Sequence, residues 1–217
     1  MKKFQIVLLL FILPGFSIAQ IMVGPKVGLN IASQFKSEFT VPQIGLAYGG
    51  AIEIPVPIAE GFSVQGEFLI TQKGYKEQYN GKEVFDELTS TYLEIPALGK
   101  YTIDGINVGY YFLGGVYWSY WSKGKYQSSV DGEEIIFENY KFTSDYDTDG
   151  FKDNRSDFGL IAEAGITYDN LGSGLLNIGV RYSHGLVATN NFKNPTSSEV
   201  LKLNKVFTVS LTYFLFL

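Results

Sequence analysis

From residue 22 onward, apolar and polar positions alternate with a period of two, and the 3.6-residue period of an amphipathic helix is nearly absent. Phe62, Val64, Phe68 and Ile70 alternate with Ser63, Gln65, Glu67 and Thr71. Phe158, Leu160, Ala162, Ala164, Ile166 and Tyr168 alternate with Gly159, Glu163, Gly165 and Thr167. Leu176, Ile178, Val180 and Tyr182 alternate with Asn177, Gly179, Arg181 and Ser183. The same rhythm closes the chain, with Phe207, Val209, Leu211, Tyr213, Leu215 and Leu217 on one face.

This pattern predicts eight strands, over 22–32, 46–55, 61–73, 89–101, 106–121, 156–168, 175–187 and 205–217. Each is about ten residues or longer, enough to cross a bilayer at a tilt. The connections at 56–60, 102–105 and 169–174 are short, and the others are longer, with 122–155 the longest. Short turns at one end and long polar loops at the other are the pattern of an outer-membrane barrel. The expected fold is all-β, an eight-stranded antiparallel up-and-down transmembrane β-barrel with long outer loops. Its termini should lie at the periplasmic end.

The stretch Tyr92–Tyr101 shows what each face meets. Leu93, Ile95, Ala97, Gly99 and Tyr101 form one face, and Tyr92, Glu94, Pro96, Leu98 and Lys100 the other. If the apolar face meets lipid, Glu94 and Lys100 point into the lumen. The same parity sends Lys26, Glu53, Glu67, Glu163 and Arg181 inside. Charges in lipid cost several kcal/mol each, so confinement to one parity follows. Inside, they can pair. Tyr101, Trp118, Tyr120, Trp121 and Tyr168, near strand ends, are expected in the interfacial girdles. The alternative is a soluble secreted β-barrel or sandwich with the larger apolar set turned inward. Against it, the polar faces are rich in glycine and small residues and carry few lysines.

Composition adds location. Lys2 and Lys3 precede an apolar run from Phe4 to Phe16 and the small residues Ser17 and Ala19, which reads as a signal peptide over 1–19. The barrel domain is then 20–217. There is no cysteine, so disulfides and thiolate metal sites are excluded. Without Lys2 and Lys3 the balance is 15 basic against 22 acidic residues, and the net charge moves from −5 to −7. That excludes nucleic acid as a natural partner.

The chain resembles the PorT-type outer-membrane β-barrel proteins of Bacteroidetes-like bacteria. The matching stretches are Lys26-Val27-Gly28-Leu29-Asn30, Tyr92-Leu93-Glu94-Ile95-Pro96, Asp157-Phe158-Gly159-Leu160 and the Ser210–Phe214 ending. The resemblance covers essentially the whole mature chain and implies a barrel in the bacterial outer membrane. Such families include one component linked to gliding-associated protein secretion, and nothing in the matching residues singles that component out.

The sharpest candidate site is Asp145-Tyr146-Asp147-Thr148-Asp149-Gly150-Phe151-Lys152-Asp153. Alternate carboxylates before a turn glycine can wrap oxygens around Ca²⁺, using Asp145, Asp147, Asp149 and Asp153 with the Phe151 carbonyl. Ser156 stands where an EF-hand has its bidentate Glu, so a bound Ca²⁺ is expected to be weak and to order the loop. The 122–155 connection carries eight acidic and five basic residues and is a candidate binding surface. His184 is the only histidine, and its neighbour Ser183 points to the opposite face of a strand, so the two cannot pair. The expected function is a non-enzymatic, monomeric barrel in outer-membrane lipid, contacting an envelope or extracellular protein partner. The alternatives are an outer-membrane enzyme acting on lipid or peptide, a small channel, or a soluble barrel holding a small ligand.

Overall fold

The structure, a computed structural model, describes residues 21–33, 40–79, 84–106, 108–130, 133–137, 140–144, 151–171, 174–192 and 202–217. The proposed signal peptide lies outside the described residues. Among these residues twelve strands are formed: β1 (Met22–Ser33), β2 (Thr40–Val41), β3 (Gln43–Pro55), β4 (Phe62–Tyr79), β5 (Val84–Ile103), β6 (Val108–Val130), β7 (Glu133–Phe137), β8 (Phe151–Asp153), β9 (Ser156–Leu171), β10 (Gly174–Gly185), β11 (Asn190–Phe192) and β12 (Lys205–Phe216). The long strands β1, β3, β4, β5, β6, β9, β10 and β12 are the eight expected from the alternation.

Each of the eight pairs antiparallel with the next, and β12 returns to β1, so the sheet closes. Val27 of β1 faces Tyr48 on one side and Leu211 on the other. Closure gives every strand a neighbour on both sides, which is what a bilayer without water demands of a β-structure. Met22 lies opposite both Phe216 and Glu53. The start of β1 and the end of β12 therefore share one rim with the tight turn after β3. That turn is closed by Val56 N–H donating to the Phe62 carbonyl at 2.8 Å, and Gly61 takes the φ of 75° that a side chain would resist.

Side-chain parity sorts the two environments. Val27, Leu29, Ile31, Leu46, Phe68, Phe112, Val180 and Val209 are exposed on the outer wall. Lys26, Glu53, Glu67, Glu94, Lys100, Glu163 and Arg181 are all buried in the lumen. The larger apolar set thus faces outward, which overturns the soluble alternative. Trp118, 46% exposed, Tyr101 and Tyr168 point outward as a girdle requires. Trp121 does not: it is 2% exposed. It shares parity with Tyr117 and Ser119, both inside, and Tyr92 faces Trp121 while Thr91 faces Lys123, leaving a bulge at Ser122.

At the rim away from the termini, β4, β5 and β6 run on to Tyr79, Val84 and Val130, well beyond their expected ends. Beyond the lipid belt both faces of a strand can be polar, so alternation fades while backbone pairing continues. Lys76 pairs with Glu87 at 3.2 Å, and the Tyr126 hydroxyl donates to Asp86 at 2.7 Å. β7 extends β6 as a hairpin, and β8 pairs with β11 as a separate ribbon.

Two prolines interrupt the wall: β1 and β12 lose the pairs Gly24–Phe214 and Pro25–Tyr213 at Pro25, and β4 and β5 lose two at Pro96. Pairing between β4 and β5 runs to Gly66–Ala97 and resumes at Leu69–Glu94. The missing pairs, Glu67–Pro96 and Phe68–Ile95, are those that an N–H on residue 96 would close. Proline has none.

The chain lacks cysteine, so single cysteines report topology cleanly. We expect Lys125→Cys to react with a membrane-impermeant maleimide on intact cells and Asp104→Cys to react only after the outer membrane is opened. Labelling at Asp104→Cys alone on intact cells would reverse the orientation.

Candidate functional site

Among the described residues the lumen holds nine buried charged ones: Glu53, Glu67, Glu94, Asp157, Glu163, Lys26, Lys73, Lys100 and Arg181. They form three groups along the barrel axis. In the central group, Arg181 on β10 reaches both Glu67 on β4 and Glu163 on β9. Its Nη1 and Nη2 donate to Glu67 Oε2 and Oε1 at 2.8 and 2.7 Å, and its Nε donates to Glu163 Oε2 at 2.6 Å. The planar guanidinium suits this forked contact, which an ammonium could not make. Lys26 of β1 binds the same two carboxylates at 3.0 and 3.3 Å. Gln65 also donates to Glu67 Oε1 at 2.6 Å, and the Tyr111 hydroxyl donates to Glu163 Oε1 at 2.7 Å.

Towards the termini, Lys100 donates to Glu53 at 2.8 Å, and Ser63 donates to the other Glu53 oxygen at 2.7 Å. Towards the outer rim, Lys73 lies between Glu94 at 2.6 Å and Asp157 at 3.3 Å. Its ammonium also sits over the Tyr117 and Tyr92 rings, 4.4 and 4.9 Å from their centroids. Tyr117 and Asn204 donate to Asp157 at 3.0 and 2.9 Å. A cavity of about 20 Å³, lined in part by Lys26, Asn30, Lys73, Glu94 and Arg181, separates this group from the central one. That is room for one water.

Seven of the nine follow from the parity of the sequence reading. Lys73 and Asp157 were missed, although Lys73 shares parity with Glu67 and Thr71, and Asp157 with Glu163. Lys73 is the last residue of its expected strand and Asp157 the second of its own, and neither was carried into the lumen set. Glycines make space for the lumen tyrosines. A Cβ on Gly165 would lie 2.6 Å from the Tyr111 ring, and one on Gly159 would lie 2.5 Å from the Tyr117 ring.

Above the ion pairs, loop residues fold over the mouth. Trp121 stacks between Tyr92 and Tyr140 at 6.0 and 5.4 Å, with Phe142 edge-on at 4.9 Å. The Arg155 guanidinium covers Phe142 at 4.1 Å and Tyr120 at 4.6 Å. Backbone bonds join the covering segments: Asp153 N–H donates to Thr143, Asn154 N–H to Thr189, and Thr189 N–H to Lys202. Burial, with the charge of Asp153 beside it, pushes the Tyr140 hydroxyl well above the ordinary tyrosine range.

Of the candidate cation loop, Asp145, Asp147 and Asp149 lie outside the described residues, and the backbone of Phe151 belongs to β8. Asp153 is buried, and its two carboxylate oxygens accept from the Tyr140 hydroxyl at 3.2 Å and the Thr143 N–H at 2.8 Å. His184 is half-buried and meets the Tyr182 hydroxyl at 3.1 Å, whereas Ser183 is buried inside the lumen. As strand geometry requires, the two occupy opposite faces.

A family model described as outer membrane protein beta-barrel domain matches residues 17–191. The chain belongs to that family. It is a bacterial outer-membrane barrel. Among solved structures it is similar to Neisserial surface protein A, at 13% identity over 90% of this chain and 96% of that one, with a TM-score of 0.47. It is similar to OprG of Pseudomonas aeruginosa at 14% identity over 91% and 93%, TM-score 0.40. It is similar to Ail, the attachment invasion locus protein of Yersinia pestis, at 15% identity over 90% and 96%, TM-score 0.36. No curated protein matches the chain.

Removing Arg181 strands two buried carboxylates with only Lys26 between them. We expect Arg181→Leu to lower the unfolding free energy by about 3–5 kcal/mol, read by urea unfolding in lipid vesicles. A change below about 0.5 kcal/mol would mean that the central group is not a buried ion-pair network.

Proposed function

We propose that this family member is a non-enzymatic, monomeric outer-membrane barrel that displays a rigid outer surface to a protein of the envelope or the medium. The observation that carries the reading is the contrast between its lumen and its outer end. The lumen is filled by paired charges and tyrosines, which leaves it poorly suited to conduction. The outer end is built up: β4, β5 and β6 project past the lipid belt, and the covering segments are tied together by hydrogen bonds and stacked aromatics. Separation of Ser183 and His184 supports the absence of a Ser–His pair. Kinship with the PorT-type barrels, and service beside a secretion apparatus, is the finer form of the same proposal. Ca²⁺ held by Asp145, Asp147, Asp149, Asp153 and the Phe151 carbonyl would order the outer loop and so shape the surface.

The test is photo-crosslinking in living cells from Lys125 and Lys141, both exposed at the outer end, and from Ile95, which faces lipid. We expect a discrete protein adduct from the outer positions and none from Ile95, with the adduct weakened when Ca²⁺ is chelated. Adducts at Ile95 alone would move the contact into the membrane and defeat the proposal. An adduct that persists unchanged without Ca²⁺ would remove the cation from it.

A further inference from the structure

The rim that carries the termini opens into a second cavity, unlike the covered outer mouth. Its volume is about 370 Å³, within the range of small-ligand pockets. Glu60, Asp104 and Asp169 stand exposed at its mouth, and Glu53 lies buried at its floor. Among the described residues the one base in the lining is Lys100, and its ammonium is already held by Glu53 and placed between the Tyr111 and Phe214 rings, 5.0 and 5.7 Å from their centroids. Four carboxylates against one committed ammonium give the cavity a negative field that narrow apolar walls focus. Met22, Leu175 and Phe216 supply such walls.

A second observation points to a ligand. Thr167, in the wall, is 2% exposed, and its hydroxyl oxygen has no hydrogen-bond partner among the described residues. A buried hydroxyl left unpaired is costly. Its methyl branch lies against Gly109, where an added Cβ would be 2.7 Å away, so a side chain there would displace it. Asn177, opposite Thr167 in the β9–β10 ladder, likewise has a buried carbonyl oxygen without a partner.

We propose that this cavity is a binding site for an alkylammonium group with a short apolar stem. The ammonium would take the Thr167 hydroxyl and the rim carboxylates as acceptors, and the stem would lie along Met22, Leu175 and Phe216. An anion is disfavoured by the four carboxylates. A bare metal ion is disfavoured because no three Asp, Glu or His among the described residues come close enough to hold one. The short turns at this rim place the opening on the periplasmic side. The ligand is then either a free diamine or the lysine side chain of a periplasmic protein.

The experiment is titration calorimetry on the folded full barrel in nanodiscs, with 1,5-diaminopentane, with the peptide acetyl-Ala-Lys-Ala-amide, and with glutarate. We expect saturable binding of an ammonium probe and none of glutarate. Thr167→Val keeps the shape of a side chain that bonds nothing in the fold, and Asp169→Asn changes an exposed rim group, so both should fold. Each should weaken binding, Thr167→Val by roughly tenfold, the value of one hydrogen bond to a charged group. Tighter binding of the peptide assigns the site to a protein partner, and tighter binding of the diamine assigns it to a free amine. No saturable binding of either ammonium probe, or equal affinity in both variants, overturns the proposal. Because the titration uses purified barrel, its result is independent of the outer-surface partner proposed above.

Discussion

Arg181, held between Glu67 and Glu163 with Lys26 behind them, is the contact on which the rest of this barrel depends. It draws together β1, β4, β9 and β10, strands from opposite sides of the wall. Ions taken out of water lose several kcal/mol each, and attraction offsets the loss only when geometry and further hydrogen bonds are good. Here every central carboxylate has two cations and at least one neutral donor. The network also holds the register. A slip of one residue in any of these strands would turn a charge into lipid and an apolar side chain into the lumen. Electrostatics inside and hydrophobicity outside therefore select the same pairing, which is the agreement between levels that marks a foldable sequence.

The two ends of the barrel differ because their loops do. At one, short turns leave the ionic lumen open to a vestibule. At the other, aromatic residues from 121–142 and the bonded segments around 143, 154, 189 and 202 lie across the mouth. Between them the wall has proline gaps at Pro25 and Pro96, and Pro96 removes a ladder bond and leaves the Glu67 carbonyl without its ladder donor. Glu67 is also the hub of the central ion pairs. Its side chain is bound to two cations just where its backbone carbonyl lacks a ladder donor.

Much of this was legible in the sequence because a strand in lipid is read by parity alone. Glu94 and Lys100, of opposite sign and six residues apart, had to share a face, and both are in the lumen. What escaped was at strand ends. Lys73, last in its expected strand, and Asp157, second in its own, were left out there although their parity matches the lumen set. Trp121 was assigned to the lipid interface together with Tyr120, although adjacent strand residues cannot share a face, and the lumen took Trp121. The vestibule was not legible at all. Glu60 and Asp104 come from two separate turns and Thr167 and Asp169 from the end of β9, and only closure of the sheet brings them to one rim.

The central claim is that side-chain parity divides lipid from a packed, ion-paired lumen, and the chain's two tryptophans sit on either side of that division. Tryptophan quenching by lipids brominated on the acyl chain tests it directly in two single-tryptophan proteins. In Trp121→Phe, the remaining Trp118 should be strongly quenched. In Trp118→Phe, the remaining Trp121 should be nearly insensitive to the bromine. Equal quenching of the two, or quenching of Trp121 alone, would contradict the account.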